Sequence, residues 1–335
     1  MPIPTRATPC IWRWPTGRSS NAHQSARIRG ASNMHVGFIG LGHLGKHLAS
    51  SLLRAGVEVS VHDLDKAAAA ELEEKGALWA ESVGELCRDA ETVFTCLPSP
   101  AAIDAVVAGP GGVLESLAPG SSWIDMSTND LHETRRLAAL AEAKGIHALE
   151  APVTGGVHRA ATGEISVLVG GDEAVFERHR PAFEAMCGEI IYMGPLGSAA
   201  VIKVITNMLA FIHLVGVGEA LMLAKRGGLD LTKAFQAIRA SSGNSFVHET
   251  ESQIILSGSY DIGFTMDLAC KDLGFAKDLG EEFGVPLELA QLVDGIFRRA
   301  REAYGGDSWS PKVVKLLEDA LGTELRAPGF PERLQ

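Results

Sequence analysis

The stretch Gly37-Phe-Ile-Gly40-Leu41-Gly42-His43-Leu44-Gly45 decides how this chain is read. It sets glycines at 40, 42 and 45 in the spacing G-x-G-x-x-G, between a short apolar run and the helical run Leu44–Leu53. Each glycine has its own task in such a turn. The first permits a tight bend, the second lets backbone approach a pyrophosphate, and the third lets the helix pack closely on the strand. The helix N-terminus beyond them attracts negative charge. In a chain with 37 glycines the pattern alone is weak; its place between strand and helix, at the start of the periodic sequence, carries it. Leu41, His43 and Leu44 fill the remaining positions of this candidate cofactor loop.

The next apolar run, Val57–His62, is closed by Asp63, 23 positions after Gly40. A carboxylate there can accept hydrogen bonds from the adenosine ribose hydroxyls and repels a 2′-phosphate. Leu64 supplies no arginine in compensation, so the spacing favours NAD over NADP. Thr92–Leu97 reads as a third buried strand, and Pro98 stops the chain where it passes the cofactor.

Outward from these motifs, strand-like and helical runs alternate as far as Gly194. Ser122–Asp125, Ile146–Glu150, Ile165–Gly170 and Glu189–Met193 continue the strands, while Lys66–Lys75 and Leu131–Lys144 have helical spacing. This alternation predicts an α/β fold, a doubly wound, Rossmann-type and mostly parallel sheet covered on both faces, over residues 34–197. After Gly197 the pattern turns helical: Ala199–Arg226, Leu231–Ala240, Met266–Phe283, Leu287–Tyr304 and Lys312–Leu321. Residues 198–321 are therefore expected to form a second, all-helical domain, to which the resemblance described below assigns substrate binding and oligomerisation. A tail, 322–335, is expected to run along the surface.

Composition narrows the function classes. The chain has 335 residues, 46% hydrophobic and 21% charged, enough for two packed domains. Its net charge is −11, and the five arginines of the acid-free first 33 residues leave −16 on the rest. Such a body repels nucleic acid and anionic membrane. Five cysteines without a C-x-x-C pair read as reduced thiols of a cytoplasmic protein and argue against a structural zinc or disulfide scaffold. No metal-ligand spacing stands out. In the most apolar segment the longest uncharged run, Val204–Gly218, is 15 residues, short of a bilayer span. Residues 1–33 lack hydrophobic periodicity. They read as a disordered extension or over-long gene start, as a mitochondrial-type presequence that would place the protein in the matrix, or as an expression scar.

Several further segments, in order, carry a resemblance: Cys96-Leu97-Pro98-Ser-Pro, Asp125-Met-Ser127-Thr128, Ala151-Pro-Val-Thr154-Gly155-Gly156, Lys203-x-x-x-Asn207 and Lys271-Asp272. With the glycine loop they resemble the β-hydroxyacid dehydrogenase family, near its 3-hydroxyisobutyrate dehydrogenase branch, from Met34 to about Leu321. The resemblance implies an NAD-linked enzyme acting on a small hydroxy acid or semialdehyde, with Lys203 as the catalytic lysine and Asn207 positioning substrate. A lysine inside Ala199-Ala-Val-Ile-Lys-Val-Ile is itself unusual, since buried ammonium groups are costly. Ser127, Thr154, Gly155 and Gly156 look like the family's anion-holding elements, Thr128 like a cofactor contact, and Lys271 like its second lysine beside nicotinamide and substrate. The family's habit, with the apolar Ala199–Arg226 helix, implies a homodimer or homotetramer.

Several positions depart from the family pattern: Thr206 for a second Asn, Thr154 for Ser, Glu150 for Asp, and His158-Arg159 for small residues. They bear on the substrate and leave the reaction class intact. Arg159 is a candidate for a second anion or faces solvent, and Phe246 and Phe264 are candidates for an apolar wall suited to a methyl-bearing substrate. Related small aldehydes (tartronate semialdehyde, succinic semialdehyde or sulfolactaldehyde) and a non-catalytic NAD-binding sensor are the alternative readings.

Overall fold

The computed structural model describes residues 35–334, so the readings of residues 1–33 lie outside the described residues. Six strands run parallel in the order β3-β2-β1-β4-β5-β6. They are β1 (His35–Ile39), β2 (Glu58–His62), β3 (Leu78–Trp79), β4 (Thr92–Thr95), β5 (Ser122–Asp125) and β6 (His147–Glu150). The chain winds outward from β1 on one side and returns to its other side at β4, which opens a crevice at the carboxyl ends of β1 and β4. β7 (Val153–Thr154) and β8 (Ser166–Gly171) add antiparallel pairings beyond β6, and β9 (Glu189–Gly194) runs parallel to β8. The central strands are apolar on both faces because helices cover both: Val36, Phe38, Val93 and Phe94 are fully buried.

The covering helices are α1 (Gly45–Arg54), α2 (Ala70–Glu73), α3 (Val83–Asp89), α4 (Pro100–Val107), α5 (Val113–Ser116), α6 (Leu131–Ala143), α7 (Val157–Thr162) and α8 (Glu173–Met186). A second, helical unit follows: α9 (Ser198–Arg226), α10 (Leu231–Arg239), α11 (Phe246–Ser257), α12 (Met266–Glu282), α13 (Glu288–Tyr304) and α14 (Lys315–Leu321). Many of these helices start where a short polar side chain takes a backbone N–H of the first turn: Ser82, Ser99, Asp130, Asp172, Asp230, Ser245 and Thr265. The arrangement is the α/β sheet followed by helices that the alternation predicts.

Several local expectations are corrected. The run Lys66–Lys75 begins as a 3₁₀ turn over Lys66–Ala69 and is α-helical only at Ala70–Glu73; Ser310–Val314 is likewise a 3₁₀ turn before α14. The third strand stops at Thr95, so Cys96 and Leu97 already belong to the loop that enters the crevice. The tail does not simply follow the surface. Leu325 is fully buried, its N–H donates to Glu318 Oε1 at 2.8 Å, and Phe330 packs on Phe235.

α9 is the axis of the second unit. Phe211, Leu214, Val217 and Leu221 face its core. With a mean hydropathy of 1.9, α9 is long and apolar enough to cross a membrane by length and composition alone. Here its polar residues Lys203 and Asn207 line a cleft and its buried face is the helical core. Ile205, Leu209 and Leu223 remain exposed on it.

Candidate active site

The glycine loop leaves β1 into the crevice, and its glycines divide the work as the spacing requires. Gly40 has φ +95°, and a methyl group there would collide with the Cys96 carbonyl. A methyl on Gly45 would strike the Gly40 carbonyl, so the turn closes only with glycine at both positions. At Gly42 nothing lies within 4 Å of a Cβ, and this open side faces the cleft. A backbone with free space at its central glycine, ending at the N-terminus of α1, fits the pyrophosphate of a dinucleotide. Leu44 and Gly45 line the same cleft, and His43 meets Trp309 of the helical unit edge-on at 5.4 Å. Leu41 departs from expectation: its side chain is buried in the core below the loop, and only its backbone serves the site.

That backbone N–H donates to Asp63 Oδ2 at 2.6 Å, while Asp63 Oδ1 accepts from the Asp65 N–H at 2.9 Å. The carboxylate at the end of β2 thus holds the glycine loop in place as well as facing the cleft. Leu64 beside it is fully exposed. Leu97, Pro98 and Thr128 line the cleft from the ends of β4 and β5.

Ser127 joins these two strand ends. Its hydroxyl donates to Asp125 Oδ1 at 2.6 Å and accepts from the Leu97 N–H at 2.9 Å. Its one proton is therefore committed to Asp125, and the cleft sees the remaining side of the oxygen. Thr95 Oγ1 also donates to Asp125, whose carboxyl is pushed up by burial against these hydrogen bonds. Thr154 ends β7 beside Gly155 (φ +121°) and Gly156 (φ +88°), left-handed conformations that expose backbone at the cleft wall. His158 and Arg159 follow on α7. The imidazole stacks on Phe246 and the Arg159 guanidinium lies 4.9 Å from the centre of that ring, a contact from the sheet unit onto α11.

The opposite wall is built from α9 and α12. Glu150, at the end of β6, accepts the N–H groups of Gly197, Ala199 and Ala200 at 2.6, 2.9 and 3.0 Å. A buried carboxylate on three otherwise unpaired donors fixes where α9 begins, and its charge suits the helix N-terminus. One turn later Lys203 is only 7% exposed and lines the cleft. Its Nζ donates to Asn207 Oδ1 at 2.8 Å, and Asn207 Nδ2 donates to Asp272 Oδ2 at 2.6 Å. The other Asp272 oxygen pairs with Lys271 Nζ at 2.8 Å, and Lys271 donates to the Thr128 carbonyl at 3.0 Å. One chain of contacts therefore runs from Lys203 through Asn207, Asp272 and Lys271 to the sheet unit.

Burial pulls the Lys203 ammonium down to about 8; Asp272 opposes that fall and Lys271 adds to it. A lysine with such a value, held by an amide in a cleft of about 800 Å³, is suited to take or give a proton near neutral pH. The structure brings the sequence-derived site residues to this one cleft except the Leu41 side chain and Arg159, whose guanidinium lies over the Phe246 ring. Glu150 and Asp272 are the residues that reading undervalued. Asp272 stood in a quoted motif and Glu150 only among the departures from the family pattern; their partners lie 65 and 47 positions away and no local spacing announces them.

Comparison with known proteins places this geometry. Residues 35–194 match the family described as the NAD binding domain of 6-phosphogluconate dehydrogenase, and residues 197–317 the one described as NAD-binding of NADP-dependent 3-hydroxyisobutyrate dehydrogenase. The chain is 34% identical over 294 residues to 2-(hydroxymethyl)glutarate dehydrogenase of Eubacterium barkeri, covering 88% of this chain and 98% of that one. To 3-hydroxyisobutyrate dehydrogenase of Pseudomonas aeruginosa it is 35% identical, over 78% of this chain and 90% of that one. A solved structure of Mycobacterium tuberculosis 3-hydroxyisobutyrate dehydrogenase with L-serine superposes with a TM-score of 0.76 at 30% identity, covering 85% and 99%. The two-unit architecture is that of a protein binding a nicotinamide dinucleotide, and the chain belongs to the 3-hydroxyisobutyrate dehydrogenase-like branch of the β-hydroxyacid dehydrogenase family.

Proposed function

We propose that this chain is an NAD-linked dehydrogenase that interconverts a small 3-hydroxy acid of the 3-hydroxyisobutyrate type and its semialdehyde or oxo acid. The observation that carries the reading is Lys203: a buried ammonium, anchored by Asn207, in the same cleft as the glycine loop. In the oxidative direction the neutral amine accepts the proton of the substrate hydroxyl, and in the reductive direction the ammonium returns it. Asn207 fixes Nζ, and Asp272 fixes Asn207, so the proton carrier keeps one position through the cycle. The backbone of Thr154, Gly155 and Gly156, with Lys271, grips the substrate carboxylate. Bound along the glycine loop, the dinucleotide supplies the hydride acceptor or donor.

The preference for NAD rests on the surroundings of Asp63. Its charge opposes a 2′-phosphate, Leu64 offers no counter-charge, and the nearby Lys66 is paired with Glu81 at 3.1 Å. We also propose a homodimer or homotetramer, with the exposed α9 residues Ile205, Leu209 and Leu223 at a subunit contact. Light scattering should give a multiple of 35.5 kDa, and a monomer at micromolar concentration would refute it.

The test of function is initial rates of NAD and NADP reduction at 340 nm across 3-hydroxyisobutyrate, 3-hydroxypropionate, glycerate, serine, 4-hydroxybutyrate and a sulfonated analogue. NAD-linked turnover of a 3-hydroxy acid, well ahead of 4-hydroxybutyrate, is the expected result. A preference for NADP would overturn the reading of Asp63, and silence with the cofactor bound would overturn the substrate class.

A further inference from the structure

α11 presents Phe246, Val247, Thr250 and Glu251 to the cleft, facing Ile262 and Phe264. Phe246, Val247, Ile262 and Phe264 make apolar walls and the Thr250 hydroxyl is spent on the Phe246 carbonyl at 2.8 Å, but Glu251 fits neither description. Among the described residues this carboxyl has neither a hydrogen bond nor an ion pair, although it is partly buried. The contrast with Glu249 on the same helix is direct. Glu249 accepts from Asn244 at 2.6 Å and pairs with Arg239 at 3.6 Å. The other cation near this wall, Arg159, lies over the Phe246 ring. Burial pushes the Glu251 carboxyl up to about 8, with no charged neighbour offsetting it. As a structural residue it makes poor sense, since a leucine there would cost nothing to desolvate. A partly buried acid lining a cleft without a partner is a group waiting for a ligand.

Which part of a ligand it meets follows from the proposed reading of the site, on which this inference rests. A 3-hydroxy acid offers three groups around C2: the carboxylate, the carbon bearing the reacting hydroxyl, and one substituent. The Thr154–Gly156 turn with Lys271 takes the first and Lys203 the second, which leaves α11 for the third. We propose that Glu251 selects the C2 substituent, and that the substrate carries a hydrogen-bond donor there, an ammonium or a hydroxyl, in place of a methyl group. Both sources satisfy the carboxyl, and the ammonium also supplies its missing counter-charge. Three fixed attachments also make the site stereospecific at C2.

The experiment measures kcat/KM for both enantiomers of serine, glycerate and 3-hydroxyisobutyrate in the wild type, E251Q and E251L. Dinucleotide affinity and thermal unfolding serve as controls for folding. The wild type should prefer one enantiomer of a donor-bearing acid over 3-hydroxyisobutyrate by about 10- to 100-fold, the worth of one hydrogen bond to a charged group. E251L should reverse that ratio while still binding the dinucleotide. E251Q separates the two sources: serine turnover falls if the partner is an ammonium, while glycerate turnover persists if it is a hydroxyl. If 3-hydroxyisobutyrate is preferred and the ratio is unchanged in E251L, the role of Glu251 is overturned and the dehydrogenase reading stands. If no acid of the panel is turned over, both fall together. If E251L does not fold, the E251Q and wild-type ratios decide the matter alone.

Discussion

The Lys203 value of about 8 makes the rate of alcohol oxidation a titration of one buried amine. Oxidation needs the neutral form, because only an unprotonated Nζ can take the hydroxyl proton. That form is about 1% of the enzyme at pH 6, about 9% at pH 7, about half at pH 8 and about 90% at pH 9. The single-turnover oxidation rate should therefore rise nearly tenfold from pH 6 to 7 and about fivefold from pH 7 to 8, then level off. Reduction uses the ammonium and should show the mirror image, falling as pH climbs through 8. The neighbours give the argument a signed internal check. Asp272→Asn removes the charge that favours the ammonium, so the inflection should move below 8. Lys271→Met removes a like charge, so it should move upward. The assay is stopped-flow absorbance at 340 nm with limiting substrate and saturating cofactor from pH 5.5 to 10, so that the rate follows the lysine before substrate binds. A flat profile over that range, or a rate still climbing steeply at pH 10 in all three proteins, as the ordinary lysine value of 10.5 requires, would refute the reasoning.

The other expectations concern the frame around the lysine. Gly42→Asp leaves the fold intact, because the space above Gly42 is open, but puts a carboxylate against the pyrophosphate; NADH fluorescence titration should show at least a tenfold loss of affinity, about 1.4 kcal/mol or more. Gly45→Ala instead drives a methyl into the Gly40 carbonyl and should lower stability by about 1–3 kcal/mol in urea unfolding. Glu150→Ala strips the acceptor from three N–H groups at the start of α9; unfolding should show a loss of about 2–4 kcal/mol, partly restored in Glu150→Gln. Leu64→Arg should shift the kcat/KM ratio toward NADP by about tenfold, and no shift would show that the 2′-position lies elsewhere.

What the chain reveals in one dimension is what its local spacing encodes. Gly40, Gly42 and Gly45 lie within one turn and Asp63 closes the very next strand, so their cooperation is readable before any coordinates exist. Lys203 and Asn207 are four apart on one helix and share a face for the same reason. Long-range partners carry no such mark. Glu150 looks like a strand-end acid until α9 is seen to begin against it, and Asp272 looks like a companion of Lys271 until Asn207 arrives from 65 positions away. Ser127 has the right chemistry for an anion, yet its proton goes to Asp125 two positions back, and the Leu97 N–H reaches its oxygen from 30 positions away. Leu41 sits in the loop but points into the core. α11 begins inside a stretch whose serines, glycine and asparagine suggest a loop; Ser245 is in fact its cap, accepting the His248 N–H at 3.0 Å.

The central claim is that Lys203 carries the proton and the cleft does the rest of the binding. Lys203→Ala tests it most directly, by NADH titration and single-turnover rates on the same preparation. The account expects unchanged dinucleotide affinity with the chemical step slowed by at least about 10²-fold, the typical worth of a positioned acid–base, and partial rescue by added primary amine. Turnover near the wild-type rate would contradict it.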